Sequence, residues 1–294
     1  MQHKTVTAFL NYLTNEKKAS ANTIESYRRD ILSFLAYMDV QAGQDPLTAT
    51  ADTIQKYALY LKGQGKSNNT IARNLSGLRS YYQYLVLTGS IATNPAKTVK
   101  FDNAGRKYPE ILTNAEVERL LEQPVLNHPK GFRDKAMLEL LYATGIRVTE
   151  LVEMNVSDVN LNLRFVRCRS TRNERMIPLY PAAVQALDEY IKRIRPLMLE
   201  EETDALFVNI NGMRLTRQGF WKIIKEYAKA ANINKDITPQ TIRHSFASHL
   251  LENGADLKDI QEMLGHQDIS STQFYSKIIK NKYKDVYKKY HPRA

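Results

Sequence analysis

A chain of 294 residues is long enough for two domains of ordinary size. Its single cysteine, Cys168, excludes an internal disulfide and zinc-finger spacing, and no run approaches the roughly 20 apolar residues of a membrane span. The net charge of +11 and a pI near 9.5 point to a polyanionic partner.

In chain order, the opening MQHKTVTAFLNYL is too polar and too helix-like for a signal peptide, which with the lone thiol gives a reducing, cytoplasmic reading. Residues 1–88 read as four helices joined by short turns. Val6, Phe9, Leu10 and Leu13 share the first face, and Ile24, Tyr27, Ile31, Phe34, Leu35 and Met38 the second. Ile54, Tyr57, Ala58 and Leu61 form a third, ended near Gly63 to Gly65. Ser67 to Asn69 cap a fourth, with Ile71, Leu75, Leu78, Tyr82 and Leu85 inward. Four such helices make a small bundle. Asn94-Pro95 stops that pattern, and 89–109 reads as a polar, basic linker.

Residues 110–294 read as a second domain, opening near Leu112 with a capping box from Thr113 to Glu116. Helices follow to Tyr142. Phe165 to Cys168 and Met176 to Leu179 then read as two short strands around a polar turn at 170–173. Helices resume near Ala182. The fold class is mainly α with a small antiparallel β-sheet in the C-terminal domain.

The residues with chemical potential are dispersed. Arg147 stands in TGIRVTEL, where Gly145 ends or bends one helix and Glu150 begins the next; a surface pair with Glu150 is its plainest reading. Arg243, in TIRHSFASHLL, heads an apolar helix and needs an anionic partner, either a carboxylate or a phosphate. Two such arginines can grip the non-bridging oxygens of one phosphate. His266 follows a helix end at Gly265, placed to donate to a phosphate or to take a proton. Tyr275 sits in SSTQFYSKI. With 17 tyrosines present, its type alone says little, and a phenol of pKa near 10 needs cations or a base to attack.

The order TGIRVTEL, strand pair, TIRHSFASHLLENGADLKDIQEMLGH, STQFYSKI resembles the tyrosine recombinases of the phage-integrase family, and within them the Xer type. The resemblance runs through the whole chain: the first domain is similar to the family's core-binding domain, and DVYKKYHPRA to Xer tails. It implies a two-domain, C-shaped clamp around double-stranded DNA. It further implies attack by Tyr275 on a scissile phosphodiester, giving a 3′-phosphotyrosyl link and a free 5′-hydroxyl. Arg147 and Arg243 then match the phosphate-binding arginines, and His266 the histidine preceding the nucleophile. No metal, ATP or other cofactor is expected, because the phosphotyrosine retains the bond energy. A homo- or hetero-tetramer on two DNA sites, joined through the C-terminal tail helix, would pass through a Holliday junction, with a second recombinase or accessory protein as possible partner. The biological setting implied is chromosome dimer resolution or recombination of a mobile or invertible element.

Two positions depart from the family pattern. The hairpin turn lacks its lysine, the acid for the leaving oxygen; Thr171 stands nearest, with Arg172 beside it, and an arginine is a poor proton donor. Gln240 replaces a usual histidine and donates hydrogen bonds without shuttling protons. These departures keep a second reading open, a catalytically impaired DNA-binding accessory or regulator on the same fold. Phosphate contacts are expected from Arg28, Arg73 and Arg79 in the first domain and from Arg214 and Arg217 in the second; the plainer reading of the latter two is a turn and helix start, with Phe220 and Trp221 in the core.

Overall fold

The computed structural model describes residues 2–42, 45–101, 110–169 and 174–265. The chain divides into two compact units, Met1–Lys107 and Tyr108–Ala294.

The first unit is built from α1 (Gln2–Asn15), α2 (Ala21–Tyr37), α3 (Ala51–Gly63) and α4 (Asn68–Leu87). Hydroxyl caps start three of them: Ser20, Thr50 and Ser67 each accept from the backbone N–H three residues on. The expected apolar faces meet in one core containing Phe9, Ile31, Phe34, Ile54, Tyr57, Leu78 and Tyr82. Burying a phenol requires a partner for its hydroxyl. Tyr57 donates to Ser33 Oγ at 3.0 Å, and Tyr82 to the Pro46 carbonyl at 2.8 Å.

The expected linker begins later than its composition suggests. Ala96 and Val99 are buried in the same core. Arg79 on α4 donates to the carbonyls of Ala96 at 3.2 Å and Val99 at 3.1 Å. This stretch has no apolar period because hydrogen bonds to α4, rather than one repeating face, hold it down. Residues 102–109 lie outside the described ones.

The second unit surrounds α6 (Pro129–Thr144), which is buried along most of its length. Around it stand α5 (Asn114–Glu122), α7 (Val148–Glu153), α8 (Pro181–Glu189), α9 (Arg217–Ala230), α10 (Pro239–Glu252) and α11 (Leu257–Leu264). The capping box at α5 forms as expected, with Glu116 N–H donating to Thr113 Oγ1 and Thr113 N–H to Glu116 Oε2. A three-stranded antiparallel sheet of order β1-β2-β3 contains β1 (Val159–Asn160), β2 (Phe165–Arg169) and β3 (Glu174–Pro178). Two of these strands were expected; β1 is too short to carry a pattern.

The charges inside α6 are matched. Arg133 forks onto Asp134 Oδ1 and donates to the Val208 carbonyl at 3.0 Å, while Tyr227 donates to Asp134 Oδ2 at 2.9 Å. On α9, Phe220 is core but Trp221 is not; the residue is 47% exposed, and the Lys225 ammonium lies over its ring. Of the two rings that the plainer reading puts in the core, only Phe220 is there, because Trp221 sits one residue off the buried face. No helix among the described residues is long and apolar enough to cross a membrane.

Candidate active site

Two glycines fix where the site forms. Gly145 ends α6 in the left-handed region at φ 58°, and a Cβ there would lie 2.3 Å from Phe246 Cδ1. Its absence lets α10 pack against the α6–α7 turn. Gly265 ends α11 the same way at φ 62°.

Arg147 occupies the residue before α7, and Glu150 the third position of that helix. Arg147 N–H donates to Glu150 Oε2 at 2.7 Å, so the glutamate caps the helix. The Arg147 side chain is 44% exposed, and its Nη1 meets Glu150 Oε1 only at 3.4 Å. The expected pair with Glu150 therefore exists, but it is long and open to solvent.

Arg243 is buried. Its Nη1 donates to the Gly145 carbonyl and its Nη2 to the Leu264 carbonyl, each at 2.6 Å. The partners expected from sequence were a carboxylate or a phosphate; these acceptors are main-chain oxygens. Arg147 Nη2 reaches the next carbonyl, Gly265, at 3.2 Å. Arg175 Nε takes the preceding one, Met263, at 2.7 Å. Three successive carbonyls at the end of α11 thus each accept from a different arginine. A helix leaves its last carbonyls unpaired and its C-terminus partly negative, which makes this end a natural gathering point for cations.

Arg175 was not anticipated. It lies on β3, on the inward side with Ile177, while Met176 faces out at 64% exposure. Both its Nη atoms meet Glu150, at 2.8 and 2.9 Å. The available signal was the alternation itself, which puts an arginine where an apolar side chain belongs. Burial pushes the Glu150 carboxyl up, but hydrogen bonds from Arg175 and from Arg147 N–H, with both guanidinium charges, hold it below the ordinary carboxylate value. Cys168, opposite Arg175 in the sheet, is pushed up to about 12 by burial and is no nucleophile.

Gln240 is exposed in the first turn of α10, three residues before Arg243 and so on the same side. His244 is pushed down to about 4 by burial and by the adjacent Arg243 charge. His266, Tyr275, Thr171 and Arg172 lie outside the described residues.

The other expected phosphate contacts separate into two groups. Arg28 and Arg217 are exposed, and Arg73 is 42% exposed. Arg28 faces Glu25 at 3.0 Å and Arg73 faces the buried Asp30 at 2.9 Å. Arg79 is half-buried and holds the segment after α4. Arg214 is half-buried and donates to Val152, Met154 and Asn155, so its guanidinium secures the end of α7.

Residues 110–282 match the family model described as Phage integrase family, and residues 6–89 the one described as Phage integrase, N-terminal SAM-like domain. The chain is 47% identical over 292 residues to Tyrosine recombinase XerD of Oceanobacillus iheyensis, covering 97% of each. It is 44% identical over 290 residues to Tyrosine recombinase XerD of Listeria monocytogenes serotype 4b, covering 97% of this chain and 98% of the relative. Among solved structures it resembles XerH site-specific recombinase bound to palindromic difH substrate, with TM-score 0.78, 21% identity, and coverage of 92% and 80% of the two chains. It also resembles XerA recombinase, with TM-score 0.55 and 26% identity over the full length of both.

Proposed function

We propose that this chain, which belongs to the phage integrase family and is a tyrosine recombinase, cuts and rejoins double-stranded DNA by covalent attachment through Tyr275. The phenolic oxygen attacks phosphorus, the bond to the 5′-oxygen breaks, and that oxygen leaves as a hydroxyl after taking a proton. The phenol's own proton passes to a base, for which His266 is the candidate. Religation reverses the step with a 5′-hydroxyl from a partner duplex, and a tetramer on two DNA sites would exchange strands through a Holliday junction. Arg147 and Arg243 hold the non-bridging oxygens and offset the charge growing in the transition state. The setting is either resolution of chromosome dimers or exchange in a mobile or invertible element, the two that the Xer-type resemblance implies.

One observation carries this reading. Arg147 and Arg243, far apart in sequence, are brought to the adjacent carbonyls of Gly265 and Leu264, immediately before His266. The hairpin lacks a lysine and Gln240 cannot relay a proton, so departure of the 5′-oxygen is expected to be slow. General acid catalysis is worth about 10²–10⁴-fold.

The test is trapping of covalent protein–DNA adduct on a nicked duplex. Wild type should form adduct slowly, Thr171→Lys faster, and Tyr275→Phe none. Equal adduct with Tyr275→Phe would refute the nucleophile. Salt-dependent DNA binding without any adduct from wild type would instead favour an accessory or regulatory protein.

A further inference from the structure

We propose that Arg175 is a positioning residue that neutralises Glu150 and thereby keeps Arg147 available for phosphate. This rests on the phosphate-binding role given to Arg147 above.

The geometry sets up a competition for one carboxylate. Glu150 is buried, at 7% side-chain exposure, and stands beside two guanidinium groups. Arg175, at 9% exposure, meets both carboxylate oxygens at 2.8 and 2.9 Å. Arg147 meets one of them at 3.4 Å and keeps 44% of its side chain in solvent. A planar guanidinium fork matches a carboxylate, and a desolvated pair is far stronger than an exposed one. Arg175 therefore saturates Glu150, and the charge of Arg147 is left largely unspent.

Without Arg175 the balance reverses. Glu150 would be a buried anion with one cation in reach, and Arg147 would turn inward to it. The guanidinium that should grip phosphate would become a structural ion pair. The rest of Arg175 is anchored so that it does not wander to a phosphate itself. Its Nε is held by the Met263 carbonyl at 2.7 Å, and it packs so closely on the α11 terminus that a Cβ on Gly265 would sit 3.0 Å from Nη1.

The decisive feature of the test is rescue. Glu150→Gln keeps an oxygen to cap α7 but removes the competing charge. Adduct formation on a nicked duplex at saturating DNA is measured for wild type, Arg175→Met, Glu150→Gln and the double variant, with folding monitored by circular dichroism. Misplacing one catalytic group costs on the order of 10²-fold, so Arg175→Met should slow adduct formation by about that factor. The double variant should recover at least about tenfold over it, because Arg147 is released. If Arg175→Met does not fold, Arg175→Gln, which removes the charge but keeps a polar group for the Met263 carbonyl, takes its place in the same comparison. A folded single variant at the wild-type rate overturns the proposal, as does a double variant no faster than the single one.

A second readout does not depend on cleavage. Loss of one phosphate contact should flatten the dependence of log K on log salt by about 0.9, and the double variant should restore it. Absence of adduct from wild type would defeat the strand-transfer reading. Unchanged slopes across the series would defeat the role of Arg175.

Discussion

Single residues at the α6–α7 turn carry both shape and charge. Gly145 is left-handed and lies against Phe246, so Gly145→Ala meets backbone strain and a ring at once. Gly254 is also left-handed, at φ 91°, but a Cβ there meets nothing. The strain alone is worth about 1–2 kcal/mol. Urea unfolding should therefore show Gly254→Ala losing about that much and Gly145→Ala distinctly more; equal losses would mean that the α10 contact is not tight. His244 gives a pH signature. Its folded pKa, about 4, lies below the unfolded value of 6.5. Above the unfolded value the imidazole is neutral in both states and adds no slope. As pH falls from 6.5 towards 4, the unfolded chain binds a proton that the folded one refuses, so stability declines. His244→Gln should flatten the urea midpoint across that window, and an unchanged decline would assign it to other groups.

Among the elements, α11 shows what a sequence can and cannot disclose. Its end at Gly265 was legible, as were the four helices of the first unit, the Thr113–Glu116 box and the hairpin strands. Their signals are local: a period, a cap, a breaker. The gathering of Arg147, Arg175 and Arg243 at three carbonyls was not legible, because a main-chain oxygen has no letter in the sequence. Arg147 and Arg243 stood out through family resemblance, whereas Arg175 sat unnoticed in a strand. The start of the linker was misplaced for a related reason. Arg79 binds two carbonyls whose own residues, Ala96 and Val99, look unremarkable as text. Side chains that serve the backbone are the ones a pattern reading overlooks.

At the scale of the molecule, the 42 lysines and arginines overstate how much basic surface is at liberty. Arg214 and Arg79 spend their donors on carbonyls, and Arg133 and Arg175 lie in buried pairs. What remains for a polyanion is a smaller set, in which Arg217 is exposed, Arg147 half-exposed, and Arg28 exposed but shared with Glu25. Two units with separate cores distribute that set, so each should hold DNA by its own salt-sensitive contacts.

The Arg73–Asp30 pair has a thermodynamic corollary. Asp30 is buried, one of its oxygens has no hydrogen-bond partner, and burial raises its carboxyl pKa against the pull of Arg73. An arginine already yoked to an anion meets DNA as a dipole rather than as a monovalent ion, and sheds few sodium ions from the duplex. Asp30→Asn would unmask it. Titrations across a range of potassium chloride should then show tighter binding at low ionic strength and a gradient steeper by up to about 0.9, the increment for one additional neutralised phosphate. An identical gradient would mean that Arg73 stays with its own helix bundle and never meets the polymer.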